Sequence, residues 1–133
     1  MRHVQIIVTG KPIAKKRPRF FRRGSSVGTY NPQETEEGRW LLSARTQLPE
    51  KQIEGPVNLM CNFYFEIPKS TPKKNRAEAV HTKKPDLDNL VKFIKDCLNG
   101  EAWKDDSQVV SLFAQKIYER DGNGPRTEII LTY

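Results

Sequence analysis

Four aspartates, arranged as two pairs, carry the chemistry that the sequence suggests. Asp86 and Asp88 stand where a lysine-rich stretch gives way to a strongly patterned apolar segment, and Asp105 and Asp106 stand where that segment's return leads into another. Two carboxylates about 4 Å apart repel by around 4 kcal/mol at an effective dielectric near 20, so a cluster of them persists when a cation neutralises it. Mg²⁺ takes one or two carboxylates, several waters and the phosphate oxygens of a substrate. In a basic chain this points to metal-assisted hydrolysis of a phosphodiester, with Asp86, Asp88, Asp105 and Asp106 as candidate metal ligands. Lys92 lies four residues after Asp88, on the same face of a helix. There its ammonium can stabilise charge on the phosphorane or help to position water. Each piece also has a plainer reading. Asp86 or Asp88 taken singly suits a helix N-cap, Asp88 with Lys92 an exposed ion pair of little weight, and Asp105-Asp106 a turn.

The composition supplies the partner. Lys and Arg outnumber Asp and Glu by 23 to 16, a net charge of +7. That surplus calls for a polyanion, either a nucleic acid or a membrane surface. No stretch approaches the roughly 18 apolar residues of a membrane span, and the start MRHVQIIVTGKP lacks the features of a signal peptide. The expected location is the cytoplasm. Cys61 and Cys97 lack the spacing of a zinc site or a disulfide scaffold and fall at apolar positions, so they read as reduced core residues. The two histidines, His3 and His81, have no evident nucleophile partner, which leaves hydrolysis through Ser, Cys or His poorly supported. His81 reads as a solvated loop residue.

The elements that must position these groups follow from periodicity. Residues 3–9 alternate as a strand, with Val4, Ile6 and Val8 on one face. Residues 11–30 form a long basic loop with Lys15, Lys16, Arg17 and Arg19 interleaved with Phe20 and Phe21. Asn31-Pro32 opens a helix with Trp40, Leu41, Ala44 and Leu48 as its apolar stripe, and Pro49 stops it. Residues 57–67 are the cleanest strand, with Val57, Leu59, Cys61, Phe63, Phe65 and Ile67 on one face. Residues 68–85 read as a mobile basic loop, carrying Lys73, Lys74, Arg76, Lys83 and Lys84. Leu87, Leu90, Val91, Ile94, Cys97 and Leu98 then mark the strongest helix, ended by Asn99-Gly100. Strands over 108–118 and 126–132 are expected to pair as a hairpin across Asp121-Gly122-Asn123-Gly124. The order β-α-β-α-β-β over residues 1–133 reads as a single α+β domain with a mixed four-stranded sheet and two main helices. Both acidic pairs share one end of the fold only if the stretch 99–105 runs back along the helix. At about 3.3 Å per residue it reaches roughly 20 Å, about the length of that helix.

The segment KKPDLDNLVKFIKDCLNGEAWKDDSQVV, residues 83–110, closely resembles the signature of the RusA Holliday-junction resolvases: a D-x-D-N-x-x-K block, a helix, then a W/Y-x-D-D-x-Q-V block. GKPIAKKRPR, residues 10–19, and Tyr30-Asn31-Pro32 resemble the N-terminal motif of that family. The resemblance covers nearly the whole chain in order. It implies that Asp86, Asp88, Asp106 and Lys92 are the catalytic residues, with Asp105 an acidic neighbour and Asn89 structural. It further implies Mg²⁺, with Mn²⁺ as a substitute, a homodimer, symmetric paired cleavage of four-way DNA junctions in recombination and repair, and a phage or prophage origin. No organic cofactor and no membrane partner are implied. The basic residues Lys15, Lys16, Arg17, Arg19, Lys73, Lys74, Arg76, Lys83 and Lys84 would meet phosphates without reading sequence. Phe20 and Phe21 could stack on unpaired bases or equally pack against the domain.

Two other readings stay open. A DNA-binding recombination accessory without catalysis needs the basic loops but not four clustered aspartates. A metal nuclease for other branched DNA needs both. The string PD…D…K is superficially similar to the PD-(D/E)xK nucleases, but there the second acid and the lysine lie on a strand, whereas Asp88 and Lys92 are four apart on a helix.

Overall fold

A computed structural model of the chain describes residues 1–16, 19–23, 26–30 and 34–133, and gives the backbone alone for 19–23 and 26–30. In chain order the elements are β1 (His3–Thr9), β2 (Arg19–Arg23), β3 (Ser26–Tyr30), α1 (Glu34–Ala44), β4 (Val57–Phe65), α2 (Lys73–Arg76), α3 (Leu87–Leu98), β5 (Val109–Tyr118) and β6 (Arg126–Thr132). Two short 3₁₀ turns, Arg45–Gln47 and Asp106–Gln108, follow α1 and precede β5.

Four strands form one mixed sheet in the order β1-β6-β4-β5, with β6 antiparallel to both β1 and β4, and β4 parallel to β5. A parallel pair needs a crossover connection, and α3 supplies it. One face of the sheet takes the alternating apolar residues of β4, Val57, Leu59, Cys61, Phe63 and Phe65, all buried. Against them pack Leu90, Val91, Phe93, Ile94, Cys97 and Leu98 of α3 and Trp40 and Ala44 of α1. Trp40 meets Phe93 edge to face at 6.2 Å. The expected α+β class, mixed four-stranded sheet and two main helices are all present. Cys61 and Cys97 are free and buried, and burial pushes both thiols up to about 12, which leaves them unreactive at neutral pH.

The expected hairpin of the last two strands does not form. β5 pairs with β4 alone, and the chain crosses the end of β4 so that β6 can sit between β1 and β4. Thr127, Ile129 and Leu131 of β6 are buried, whereas Ser111, Leu112, Phe113 and Gln115 of β5 are exposed, so the inner position goes to β6 although β5 is the more apolar strand in composition. Arg126 closes the crossover by holding the Asp121 carboxylate at 2.5 Å and that of Glu128 at 2.9 Å. At the opposite edge, the Gln47 side chain donates to the Ile7 carbonyl and accepts from the Ile7 amide, which covers part of the free edge of β1.

The two basic loops are also less plain than their composition suggests. Residues 11–30 contain the antiparallel pair β2–β3, and residues 68–85 contain the single turn α2. The Asn31-Pro32 helix start lies outside the described residues. α1 ends at Ala44, and the 3₁₀ turn carries the chain on to Pro49.

The burial pattern sets the scale of the core. Leu90 is fully buried on α3, so Leu90→Ala should cost about 2–5 kcal/mol. Leu42, which is 69% exposed on α1, should change stability by less than about 0.5 kcal/mol when replaced by Ala. Urea unfolding of the two variants, with unchanged slope, checks this contrast.

Candidate active site

The start of α3 presents the first acidic pair. Asp86 occupies the N-cap position, its carbonyl accepts from the Leu90 amide, and its side chain makes no capping bond. Asp88 accepts from the Asn89 amide at 3.0 Å. Both residues are exposed, as is Lys92 one turn further on. The N-cap reading therefore fits the backbone of Asp86 but leaves its carboxylate unused. No ion pair joins Asp88 to Lys92 among the described residues, which leaves the i,i+4 pair as a shared face and not a contact. The approach to α3 is held from β5: the Lys116 ammonium donates to the carbonyls of Lys83 at 2.7 Å and Pro85 at 3.1 Å. From the other side, the Lys15 amide donates to the Asn89 carbonyl, so the first basic segment crosses the first turn of α3.

The second pair is built into a tight joint. Asp105 caps the 3₁₀ turn by accepting from the Ser107 amide, and Gln108 returns the bond by accepting from the Asp105 amide at 2.8 Å, a reciprocal capping box. Hydrogen bonding from Ser107 holds the Asp105 carboxyl below its ordinary value. The other half of the Gln108 amide donates to the carbonyls of Ile53 and Gly55. The indole Nε1–H of Trp103, whose ring is fully buried, donates to Asp106 Oδ1 at 2.9 Å. One carboxylate oxygen of Asp106 is thus held by the indole. Trp103 and Gln108 are the positioning residues that the sequence reading did not single out. Their signal was present, because both are letters of the motif around the Asp105-Asp106 pair.

Within one chain the two pairs stand apart. Gly100, at φ 79°, turns the chain sharply at the end of α3, and bonds from Glu101 and Ala102 to the Leu98 carbonyl keep the turn tight. The stretch 99–105 therefore does not run back along the helix. Asp106 sits at the start of β5, whereas the start of α3 is bound to Lys116 near the end of that strand. At about 3.3 Å per residue the two ends of this stretch of β5 lie on the order of 20 Å apart. Accordingly, no three Asp, Glu, His or Cys side chains gather closely enough to hold a metal among the described residues. All four aspartates are hard oxygen donors of the kind that suits Mg²⁺ or Mn²⁺, so the donor chemistry fits although one chain does not assemble it.

The basic residues divide by employment. Lys15, expected to meet DNA, sends its ammonium to Glu37 at 2.6 Å and Asp96 at 3.0 Å, pinning the first loop to α1 and α3. Two carboxylates thus share its charge within the chain. Lys16, Lys73, Lys74, Arg76, Lys83 and Lys84 are exposed. Arg17 and the side chain of Arg19 lie outside the described residues, as do the side chains of Phe20 and Phe21. The second loop, expected to be mobile, is tied by Arg120, whose guanidinium donates to the carbonyls of Arg76 and Ala79. His81 is a correction. Instead of being solvated, its ring lies on Phe65 at 4.2 Å and beside Tyr118 at 5.2 Å, and its Nδ1 is buried without a hydrogen-bond partner. Burial, and then the charges of Lys116, Lys11 and Lys83, hold its imidazole below the ordinary value.

A family model described as Endodeoxyribonuclease RusA matches residues 9–132. Among curated proteins, the chain is 36% identical over 137 residues to the uncharacterized protein YqaN of Bacillus subtilis (strain 168), covering 96% of this chain and 94% of that one. No helix of the described residues is long and apolar enough to cross a membrane.

The Trp103–Asp106 bond generates a direct expectation. Trp103→Phe keeps a buried ring but removes the donor, so turnover of a DNA substrate should fall about 10- to 100-fold. The KM for DNA should move little, because the indole touches no surface that DNA can reach. Steady-state kinetics on the folded variant check the split.

Proposed function

The chain belongs to the RusA endodeoxyribonuclease family, and from that membership we propose that it is a Mg²⁺-dependent nuclease that resolves Holliday junctions by paired, symmetric phosphodiester cleavage. The observation that carries the reading is the start of α3. An exposed Asp86–Asp88 pair, with Lys92 on the same face, stands among exposed lysines in a chain of net charge +7. An acidic pair in such a setting is suited to a cation that the phosphates of DNA then share.

Asp86, Asp88 and Asp106 would hold Mg²⁺ or Mn²⁺, which when bound supplies positive charge to the scissile phosphate. The chain's own groups do the rest. Lys92 places an ammonium where charge develops on the phosphorane. Lys16, Lys83 and Lys84 hold the phosphates on either side of the acidic pair, and the residues of α2 extend that hold further along the strand. Trp103 keeps Asp106 in one orientation, and Gln108 holds the turn that carries it.

The separation of the two acidic pairs supports a homodimer whose sites are shared. β5 is an edge strand with exposed Val110, Leu112 and Phe113, an edge that a folded protein covers or pairs. An antiparallel approach of two β5 edges about a two-fold axis sets the start of one β5 beside the end of the other. Asp106 of each copy then faces the α3 start of its partner, and two equivalent sites form. Two-fold placement of two sites is also what symmetric cleavage of a two-fold junction requires.

On a synthetic four-way junction, the protein should cut opposed strands at symmetric positions with Mg²⁺ and not without it. Asp86→Asn, Asp88→Asn and Asp106→Asn should abolish cutting and leave junction binding intact or stronger, since they remove negative charge facing DNA. Lys92→Ala should slow cutting strongly without unfolding the protein. Sedimentation should show a dimer at micromolar concentration. Full cleavage by Asp88→Asn would refute the site, and tight junction binding with no cutting in any divalent cation would favour the accessory reading.

A further inference from the structure

Beside the α3 start, at the end of the sheet where β4 and β5 finish, lies a cavity of about 290 Å³. Its floor is aromatic: His81 lies on Phe65 and against Tyr118. Lys11, Lys83 and Lys84 stand among its lining residues. We propose that this cavity receives an unpaired nucleobase of the DNA strand held beside Asp86, with the base stacked on the His81 ring and its flanking phosphates on the three lysines.

Three observations carry this. The imidazole makes no hydrogen bond through its buried Nδ1, so stacking holds the ring in place, and a flat ring is what a base needs. The lysines come from two separate segments, the end of β1 and the approach to α3, and so bracket the cavity as the phosphates of one strand would bracket its base. Glu66 also lines the cavity and disfavours an anion at its centre, which leaves a neutral flat group between anionic flanks as the matching ligand. The volume lies near the lower end of ordinary small-molecule pockets, about 300–1,000 Å³, room for one ring system. A branched DNA offers an unstacked base at its crossover, so the inference deepens the nuclease reading and rests on it for the identity of the strand.

The test uses the full chain in the absence of divalent cations, with two labelled probes of equal charge: a six-nucleotide oligothymidylate and a six-unit abasic phosphodiester chain. Base stacking should make the thymidylate bind about 10-fold tighter at a given salt concentration. His81→Ala should erase that preference, and His81→Phe, which keeps a flat ring, should retain it. Replacing Lys83 and Lys84 together by Gln should weaken both probes alike and reduce the salt slope by about 1 to 2. Should His81→Ala fail to fold, proton NMR of the wild-type chain decides instead. The His81 ring resonances, told from those of His3 by His3→Gln, should shift upfield with the thymidylate and not with the abasic chain. Equal affinity for the two probes, a preference that survives His81→Ala, or unmoved His81 resonances would overturn the proposal. Failure of the nuclease reading looks different: junctions stay uncut in Mg²⁺ while the base preference remains.

Discussion

The burial of one face of α3 on the sheet is the constraint from which the arrangement of the site follows. Six apolar side chains of α3 are buried, and they can be buried only if the helix lies along the parallel pair β4–β5 and runs opposite to it. A crossover helix of 12 residues spans about 18 Å, so whatever precedes it and whatever follows it are delivered to opposite ends of the sheet. The acidic residues occupy those two joints. Packing thus fixes the distance between the Asp86–Asp88 pair and the Asp105–Asp106 pair, and no rotation of a side chain can close it.

The joints themselves are held by polar groups whose work is local. Lys116 and the Lys15 amide fix the backbone on either side of the α3 start, while Trp103 and Gln108 fix the turn before β5. These contacts cost the surface little charge. Lys15 and Lys116 bond within the fold near α3, and Lys83, Lys84 and Lys92 are exposed around the acidic pair. A basic chain can therefore keep two exposed carboxylates in an electropositive surround, which is the electrostatic setting in which a divalent cation and a phosphate are bound together.

Much of this was legible before the fold. The period-2 pattern of residues 57–65 and the 3.6 pattern of residues 87–98 gave β4 and α3, because each buries one face against a single core. The candidate aspartates and Lys92 stand out in the sequence because metal chemistry demands residue types in a fixed spacing. Strand order was not. Adjacent strands with a Gly-rich turn usually pair, but here β6 lies between β1 and β4 and β5 takes the edge, although β5 is the more apolar of the two in composition, so local pattern does not display the strand order. The fate of Lys15 was hidden for the same reason, since Glu37 and Asp96 reach it from distant elements. His81 misled because its neighbours in sequence are polar, whereas its neighbours in space are Phe65 and Tyr118.

The central claim is that each active site draws Asp86 and Asp88 from one copy and Asp106 from the other. Mixing Asp88→Asn subunits with Asp106→Asn subunits tests it directly, because each variant alone is inactive. In the mixed dimer, sharing across the interface unites an intact Asp86–Asp88 pair with an intact Asp106 at one of the two sites. Purified mixed dimers, carrying a different tag on each subunit, are incubated with a four-way junction in Mg²⁺ and the strands are resolved on a denaturing gel. The account predicts a nick in one strand of each junction, made by the single restored site. A mixed dimer that binds the junction and cuts neither strand would place all three aspartates in the same subunit and contradict it.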